Sequence, residues 1–495
     1  MAVGNDGEGR FPLQGNALQE ARVAGALILD ERRQRPNYFD GRFLTAADLT
    51  SDQNYLLSRL TDLARTLGKG VSEGLMVRLP DPELPTAGPG SLWISAGWGL
   101  TGAGELVGLP KDRQVDVGAL ARIQELNQRF GLAELPAEPQ RTLTGLFVLA
   151  LRPVEFTDGP IASYPTGVTG QRQVEDGFIV EATAITLLRY GDGGPGSGEE
   201  QRSRVARETF LSGEVRLDAT GVLPLALVAL SRGVVLWVDN WLVRRELGAE
   251  AGGSLGLFGA SRARRQAHLQ HYRSQLEEVL QQRQRQGRGW QFAAAEHFAL
   301  LPPVGPLPRE AILLPPGDTN GDSGGEAFQQ VYFPPEIEAD LVIVPEDELP
   351  AVIEESLALP SIDLTLSPAE RDAIAVLILL PVPRARLQSL LNSLARFRKN
   401  ALRRPLLPAA PGQISRRRPL EMLEWLGPAG FGAPLGDADS TALVSATADA
   451  VAADGTGSAT GLWREELRGV QQLWFVRRRQ FPDRQNVVLL TEARP

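Results

Sequence analysis

One segment near the N-terminus combines a turn, a helix start and a helical apolar pattern, and it constrains the fold more than any other. Pro36 keeps Arg35 extended, and Asp40-Gly41 is a turn dipeptide. Thr45, followed three residues later by Asp48, forms an N-cap with an acidic residue in the first helical turn. The sequence therefore predicts a helix that begins immediately after Thr45.

The predicted helix has apolar residues on one side. Leucines recur at steps of seven, four, three and four residues, which is the helical period. They are Leu49, Leu56, Leu60, Leu63 and Leu67. Gly68 and Gly70 provide a C-terminal cap, and Tyr38, Phe39 and Phe43 are expected to fold back onto the leucines. The pattern predicts a helix that packs on a sheet as an internal scaffold.

This segment resembles the opening motif of a group of proteins encoded with contractile injection systems, the phage-tail-like particles of bacteria. The likeness rests on the run from Asn37 to Leu49, with Gln53 and Tyr55 after it. The resemblance implies a structural role for the motif residues. These are Tyr38, Phe39, Asp40, Gly41, Phe43, Leu44 and Asp48.

Further matches to the same proteins lie in the hairpin-like Trp93 to Val107, in the proline-rich residues 301–308, and in Tyr332 to Pro335 ahead of Pro345 to Pro350. A Gly-x-x-Leu stretch followed by a Gln-rich helix is similar to the type VI secretion baseplate protein that links the wedge to the membrane complex. These likenesses imply a structural, baseplate-associated component that forms an oligomer and docks with other subunits of a tail-like particle.

Composition limits the classes of function. The 495 residues are expected to form about three domains, and a net charge of -9 argues against a general nucleic-acid binder. The absence of cysteine excludes disulfides and thiolate metal sites. No secretion signal or membrane-spanning apolar run is recognised. We expect a protein that is synthesised in the cytoplasm, is not inserted into a membrane, and is incorporated in a cytoplasmic or released particle.

The order of strand and helix patterns predicts an α+β multi-domain fold. It comprises a β-rich, sandwich-like or jelly-roll-like module, a helical neck and small α/β domains. The predicted divisions are an N-terminal arm over 1–29, the β-rich module with its first helix over 30–247, and a hinge with the neck helix over 248–300. A proline-rich linker with a small α/β domain follows over 301–400, and a mixed module over 401–495. The sequence leaves open whether this last module completes the preceding sheet.

The neck helix, expected from about Ser261 to Gln286, has a narrow apolar seam among glutamines and arginines. The seam consists of Leu269, Tyr272, Leu276, Val279 and Leu280. A narrow seam is typical of helix-on-helix packing. The sequence leaves open whether the seam packs within its own chain or forms a coiled coil between subunits.

Two charge blocks are candidate contacts. Residues 336–356 include eight acidic and no basic residues, and residues 384–418 include ten basic and no acidic residues. The candidates are Glu346, Asp347, Glu348, Arg384, Arg386, Arg396 and Arg398. The blocks either pair within the chain or make head-to-tail contacts around a ring. Nucleic-acid binding is a third option, weakened because only Phe397 is interleaved with the basic residues.

No motif assembles a catalytic, cofactor or metal site, and we expect no enzyme activity. The glycines of 97–102 have dinucleotide-site spacing but precede a second strand pattern instead of a helix. Residues 252–256 have the spacing of the nucleophile elbow of hydrolases, but no buried strand pattern precedes them. The loop from Asp318 to Asp322 imitates a calcium loop but has Ser323 and Gln329 where glycine and glutamate are needed. Whether this loop binds a cation is left open.

Two other functions remain as alternatives. A receptor- or glycan-binding fibre or head module requires that Trp93, Trp98, Trp237 and Trp241 line an exposed groove. A hydrolase requires a pocket that holds an acid pair, or Ser254 near His268 or His271.

Overall fold

The computed structural model describes residues 15–27, 33–80, 88–120, 143–162, 174–191, 198–213, 221–248, 261–313, 328–395, 403–409 and 459–478. The chain contains both helices and strands, and the strands form several separate sheets. This confirms the predicted α+β multi-domain class. Within these ranges, no helix has both the length and the apolar character needed to cross a membrane.

The N-terminal part is rich in strands. Its helices are α1 Gly15–Val23, α2 Ala46–Leu67 and α3 Glu199–Arg207, with a π-helical turn at Glu208–Ser212. Its strands are β1 Gly70–Gly74, β2 Val77–Arg78, β3 Ser91–Ile94, β4 Gly97–Leu100, β5 Leu106–Leu109, β6 Arg113–Asp116, β7 Gly145–Ala162, β8 Val174–Arg189, β9 Leu223–Ser231 and β10 Val234–Asp239. Helix α1 lies within the predicted N-terminal arm.

The C-terminal part begins with helix α4 Arg262–Arg285, the predicted neck helix. Its other helices are α5 Leu349–Ser356, α6 Pro368–Arg371, α7 Arg384–Ala395 and α8 Ala459–Gly469, with 3-10 turns at Ala294–Glu296 and Arg309–Ala311. Its strands are β11 Leu300–Leu301, β12 Val304–Leu307, β13 Ile312–Leu313, β14 Gln329–Gln330, β15 Glu338–Pro345, β16 Ile362–Asp363, β17 Ala375–Val382, β18 Arg403–Pro408 and β19 Leu473–Arg477.

A four-stranded antiparallel sheet is the middle layer of the N-terminal part, with the strand order β10-β9-β7-β8. Successive side chains of a strand point to opposite faces. Phe147 and Leu149 therefore pack against two small sheets, β1-β4-β5 and β2-β3-β6. Leu146 and Val148 pack on the other face against α3 and α4. Apolar residues at every position of this part of β7 reflect burial on both faces.

One mixed sheet of seven strands organises the C-terminal part, in the order β12-β19-β17-β15-β18-β14-β13. Strands β15 and β17 are parallel, and β18 and β19 pair antiparallel to them on either side. The sheet therefore joins strands from before and after residue 400. Strands of the predicted 401–495 module thus complete the sheet of the 301–400 domain, which is the alternative that the sequence left open.

Helix α4 packs in the core of its own chain. Tyr272, Leu276 and Val279 are buried against the seven-stranded sheet, and Leu280 is partly buried there. Leu269 packs on the opposite face of the sheet with residues of β12, β15 and β17. Four seam residues are thus buried within their own chain and Leu280 is partly buried there, which is the first of the two alternatives that the sequence left open.

A buried tyrosine pair ties α4 to this sheet. The hydroxyl of Tyr272 donates a hydrogen bond to the Pro306 carbonyl over 2.7 Å. Because that bond uses its single proton, the hydroxyl of Tyr332 donates to the Tyr272 oxygen, 2.8 Å away. A Cβ atom at Gly305 would lie 2.6 Å from the Tyr272 ring, so this position requires glycine.

A buried ion network joins α3 and β10 to α4. Arg202 Nε donates to Asp239 Oδ2 over 2.8 Å, and His271 Nδ1 lies 2.7 Å from the same oxygen. Burial raises the pKa of Asp239, but His271 and Arg202 outweigh it and hold that pKa well below its usual value. The stabilisation is present above the ordinary aspartate pKa and is lost as the pH falls through the lowered pKa.

The burial of α4 predicts that Leu276→Ala lowers stability by about 2–5 kcal/mol, through lost burial and a cavity. The matched change Leu60→Ala, on the exposed side of α2, should cost less than about 0.5 kcal/mol. Denaturant unfolding at several protein concentrations measures both. A Leu276→Ala defect that disappears at high protein concentration would contradict the intramolecular packing, since it would indicate a seam between subunits.

Candidate docking surface

Helix α2 is attached to the rest of the module by its polar side. Arg65 Nε donates to the Ala103 carbonyl over 2.8 Å, and Thr61 Oγ1 lies 3.4 Å from a carboxylate oxygen of Glu105. Both contacts are with the turn between β4 and β5. Gly104 in this turn has a φ of +88°, and a Cβ atom there would lie 2.5 Å from the Thr61 carbonyl oxygen. The turn thus allows a close backbone approach to α2.

Five leucines of α2 lie on the opposite side of the helix and are exposed. We call this set the leucine face. It consists of Leu49, Leu56, Leu60, Leu63 and Leu67. Their exposed fractions range from 53% at Leu49 to 63% at Leu60, and no residue of α2 is buried. The prediction of an internal scaffold is therefore wrong, because the helix contacts its own module through polar residues.

The aromatic residues upstream of α2 are also exposed. We call Tyr38, Phe39, Phe43 and Leu44 the aromatic turn; Phe43 is 93% exposed. The sequence predicts that Tyr38, Phe39 and Phe43 fold back onto the leucines, and in the structure all three side chains are exposed. The aromatic turn and the leucine face instead form two adjacent stretches of exposed apolar side chains in one segment of chain.

Polar residues of the same motif hold this segment in place. The Arg42 backbone N–H donates to the Phe39 carbonyl over 3.1 Å, and its guanidinium donates to the Asn37 carbonyl over 2.6 Å. The guanidinium also pairs with Asp48. The Asp48 N–H donates to Thr45 Oγ1 over 3.2 Å, and the Thr45 N–H donates to Asp48 Oδ2 over 3.0 Å. This reciprocal capping box confirms the predicted N-cap.

The hydrogen bonds that Asp48 accepts from Thr45 and Arg42 favour the ionised form of its carboxyl group. Donation from the Thr45 side chain, then from its backbone, and the contact with Arg42 lower the pKa of Asp48 below its usual value. The stabilisation that depends on the carboxylate is present above the ordinary aspartate pKa. It is lost as the pH falls through the lowered pKa.

The candidate charged contacts pair within the chain where the structure describes them. Arg384 Nε lies 2.9 Å from Asp347 Oδ2, and Arg384 Nη2 lies 2.7 Å from Glu348 Oε1. Arg386 Nη2 lies 2.9 Å from Glu466 Oε1. In the structure, Asp347, Glu348, Arg384 and Arg386 therefore pair within the chain, which is the first of the alternatives for the charge blocks. Glu346 is exposed, and its backbone N–H donates to the Val382 carbonyl. Arg396 and Arg398 lie outside the described residues.

The four tryptophans do not line one groove. Trp237 is buried, donates from Nε1 to the Gly198 carbonyl over 3.1 Å, and packs on the helix-bearing face of the central sheet. Trp241 packs against the same cluster. Trp98, 40% exposed, lies in a small sheet, and Trp93 is partly buried in the other. The arrangement predicted for a glycan-binding groove is therefore absent for these rings.

His268 and His271, the two histidines considered for a hydrolase, bind different partners. His271 is bound to Asp239, whereas His268 Nδ1 lies 3.2 Å from Ser361 Oγ, and both imidazoles are buried. Ser254 and the loop from Asp318 to Asp322 lie outside the described residues. The glycines of 97–102 form β4 and the start of the turn before β5. Among the described residues, no three acidic, histidine or cysteine side chains are grouped as metal ligands.

Sequence reasoning missed a second exposed apolar surface, at the far end of β7 and β8. The two strands pair continuously from Phe147 with Arg189 to Ala162 with Val174. Their distal residues, 153–162 and 174–184, are mostly exposed, and we call them the arm. Phe178 is 67% exposed there. The alternation of apolar residues in β8 is a signal for a strand but does not indicate that the strand extends beyond the sheet.

Comparisons with known proteins give a low-level structural likeness. No protein-family model matches the chain, and no curated protein sequence matches it. Among solved structures, the chain is similar to a chain in the type VI secretion system TssK-TssF-TssG baseplate subcomplex. The identity is 13%, the TM-score is 0.21, and the match covers 50% of this chain and 72% of that chain. A likeness at this TM-score does not itself support a functional assignment.

The capping box of Thr45 and Asp48 predicts that Thr45→Ala destabilises the first turn of α2. Loss of an N-cap costs about 1 kcal/mol, so the amides at the start of α2 should exchange with solvent about fivefold faster. Hydrogen exchange followed by mass spectrometry measures this rate. Thr50→Ala is the matched control, because the Thr50 hydroxyl bonds only to the Ala46 carbonyl. Equal exchange in both variants would contradict a structural role for the cap.

Proposed function

We propose that this chain is a structural subunit of the baseplate region of a phage-tail-like contractile injection system. It acts by docking the leucine face and the aromatic turn against neighbouring subunits. The motif from Asn37 to Leu49, which resembles the opening motif of proteins encoded with such systems, contains the aromatic turn and the start of α2. No bond chemistry is assigned to any residue.

The observation that carries this proposal is the exposed apolar side of α2 on a helix that is fixed to its module. Soluble monomers rarely expose large contiguous apolar patches, and such patches mark interaction sites. The polar frame of Arg42, Thr45 and Asp48 holds the segment before any partner binds. A preorganised segment loses less conformational entropy on association than a flexible one. The motif residues are thus divided between holding the segment and contacting a partner.

The leucine face contributes a useful amount of binding energy. Full burial of a leucine side chain stabilises by about 1.5–3 kcal/mol, so each half-exposed leucine contributes roughly 1 kcal/mol when a partner covers it. Three such leucines account for about 3 kcal/mol, or on the order of 100-fold in affinity. Contacts of this size suit an assembly in which each subunit docks at several places.

The proposal predicts that the triple variant Leu56→Asn, Leu60→Asn, Leu63→Asn is lost from particles, because the apolar contact is replaced by amides that prefer water. The variant is expressed in the native host, and its amount in purified particles is measured together with sheath and tube proteins. The stability of the isolated variant should not change, since these side chains are exposed.

The matched control is the triple variant Leu79→Asn, Leu211→Asn, Leu236→Asn, whose leucines are similarly exposed elsewhere on the chain. It should enter particles normally. Normal incorporation of the α2 variant would overturn the docking role of the leucine face. If the unaltered chain never purifies with sheath or tube proteins, its assignment to a contractile particle is wrong.

A further inference from the structure

One face of the arm carries an apolar stripe interrupted by Asp158 and Asp176, and the other face carries the exposed Ile161 and Ile179. Residues that pair across two antiparallel strands lie on the same face, and Phe156 pairs with Val180 while Asp158 pairs with Phe178. The same face continues to Val174 at the end of the arm, opposite Ala162. Phe156, Phe178 and Val174 are exposed. An amphipathic two-stranded ribbon with an uncovered apolar face is marginal alone in water, so this stripe is suited to a partner.

At its base, the stripe lies on the opposite side of the central sheet from helix α2. It continues the even-numbered positions of β7, which at Leu146 and Val148 face the helices α3 and α4. The odd-numbered side faces the small sheets, since the Gly108 N–H of β5 donates to Thr183 Oγ1 of β8 over 3.2 Å. Helix α2 is attached to the turn that leads into β5. At the base of the arm, the stripe and helix α2 therefore lie on opposite sides of the central sheet.

The two surfaces match in length. From Leu49 to Leu67 the leucine face extends about 27 Å, at 1.5 Å per helical residue. From Val154 to Ala162 the stripe extends roughly 26 Å, at about 3.3 Å per strand residue. An extended ribbon that lies along the helix can therefore cover the whole leucine face.

The two surfaces also differ in charge. The described part of the arm, residues 153–162 and 174–184, includes five acidic and no basic residues. Residues 33–69 have six basic and four acidic residues, and α2 itself has two basic and three acidic residues. Two of these carboxylates, Asp48 and Asp62, are paired with Arg42 and Arg33. Arg59 and Lys69 are exposed on α2 and just beyond it. Opposite charges around apolar surfaces favour one orientation of contact and disfavour contact between like surfaces.

We infer that the partner of the leucine face is the arm of a second copy of this chain. The inference rests on the proposed docking role of the leucine face and names its occupant. Because the stripe and helix α2 of one chain lie on opposite sides of the central sheet, each copy donates its arm to one neighbour and receives the arm of another. Such a head-to-tail contact is heterologous, and it generates a ring if the rotation closes or a filament if it does not.

Single-cysteine variants test this contact, because the full chain contains no cysteine. Phe156→Cys places a thiol on the arm stripe, and Leu60→Cys places one on the leucine face. Leu236→Cys, at a similarly exposed leucine on β10, is the control. The full-length variants are mixed pairwise, treated with a short thiol-specific bifunctional reagent and separated by denaturing electrophoresis, with one variant of each pair carrying a size tag.

The inference predicts that the mixture of Phe156→Cys and Leu60→Cys cross-links between the two variants, and that the yield falls as salt rises. Each variant alone, and each mixture with Leu236→Cys, should stay at the background level. Cross-linked pairs of Leu60→Cys alone or of Phe156→Cys alone would overturn the inference, because they indicate like-to-like contacts.

Cross-linking of the Phe156→Cys and Leu60→Cys mixture only at the background level would overturn the inference as well. If the triple leucine variant is then still lost from particles, a different subunit covers the leucine face and the proposed function stands. If that variant enters particles normally, the proposed function fails together with the inference. Circular dichroism and thermal unfolding of each variant establish that the substitutions leave the fold intact.

Discussion

The polar attachment of helix α2 determines what the N-terminal module presents to other molecules. Thr61 and Arg65 contact the turn between β4 and β5, and this orients the helix so that its leucines face solvent. An amphipathic helix in a globular protein normally packs with the opposite orientation, apolar side inward. The inverted orientation is compatible with a stable chain because the core of the module is complete without these leucines. Its residues come from the central sheet and the two small sheets.

Buried ion pairs connect the central sheet and the arm to the C-terminal part of the chain. Helix α3 is joined to α4 and β10 through Arg202 and Asp239, and it reaches β16 through Arg207, whose Nη2 lies 2.7 Å from Asp363 Oδ2. Buried ion pairs of this kind add little net stability compared with apolar packing, but removal of one partner is costly. The network fixes the position of the central sheet relative to α4. The arm, which continues from that sheet, is therefore anchored at its base.

Local patterns predicted much of this structure, but not what covers each pattern. The capping residues Thr45 and Asp48 and the start of α2 follow from the sequence, because a cap depends on neighbouring residues alone. The leucine period shows which side chains share a face, and the same kind of period marks the seam of α4. The first face is exposed and the second is buried. Periodicity does not distinguish these cases, since the difference depends on contacts with distant residues such as Ala103 and Tyr332. For the same reason the strand patterns left open whether the last module completes the preceding sheet, which β18 and β19 do by pairing with β15 and β17.

The exposure of the leucine face, and its burial on assembly, can be measured most directly by thiol labelling. In this cysteine-free chain, Leu63→Cys introduces a single thiol on the leucine face, and its reaction with a maleimide is followed in the dissociated chain at high salt and in assembled particles. We expect fast labelling in the dissociated chain and strong protection in particles. Slow labelling in the dissociated chain, or equally fast labelling in both, would contradict the account.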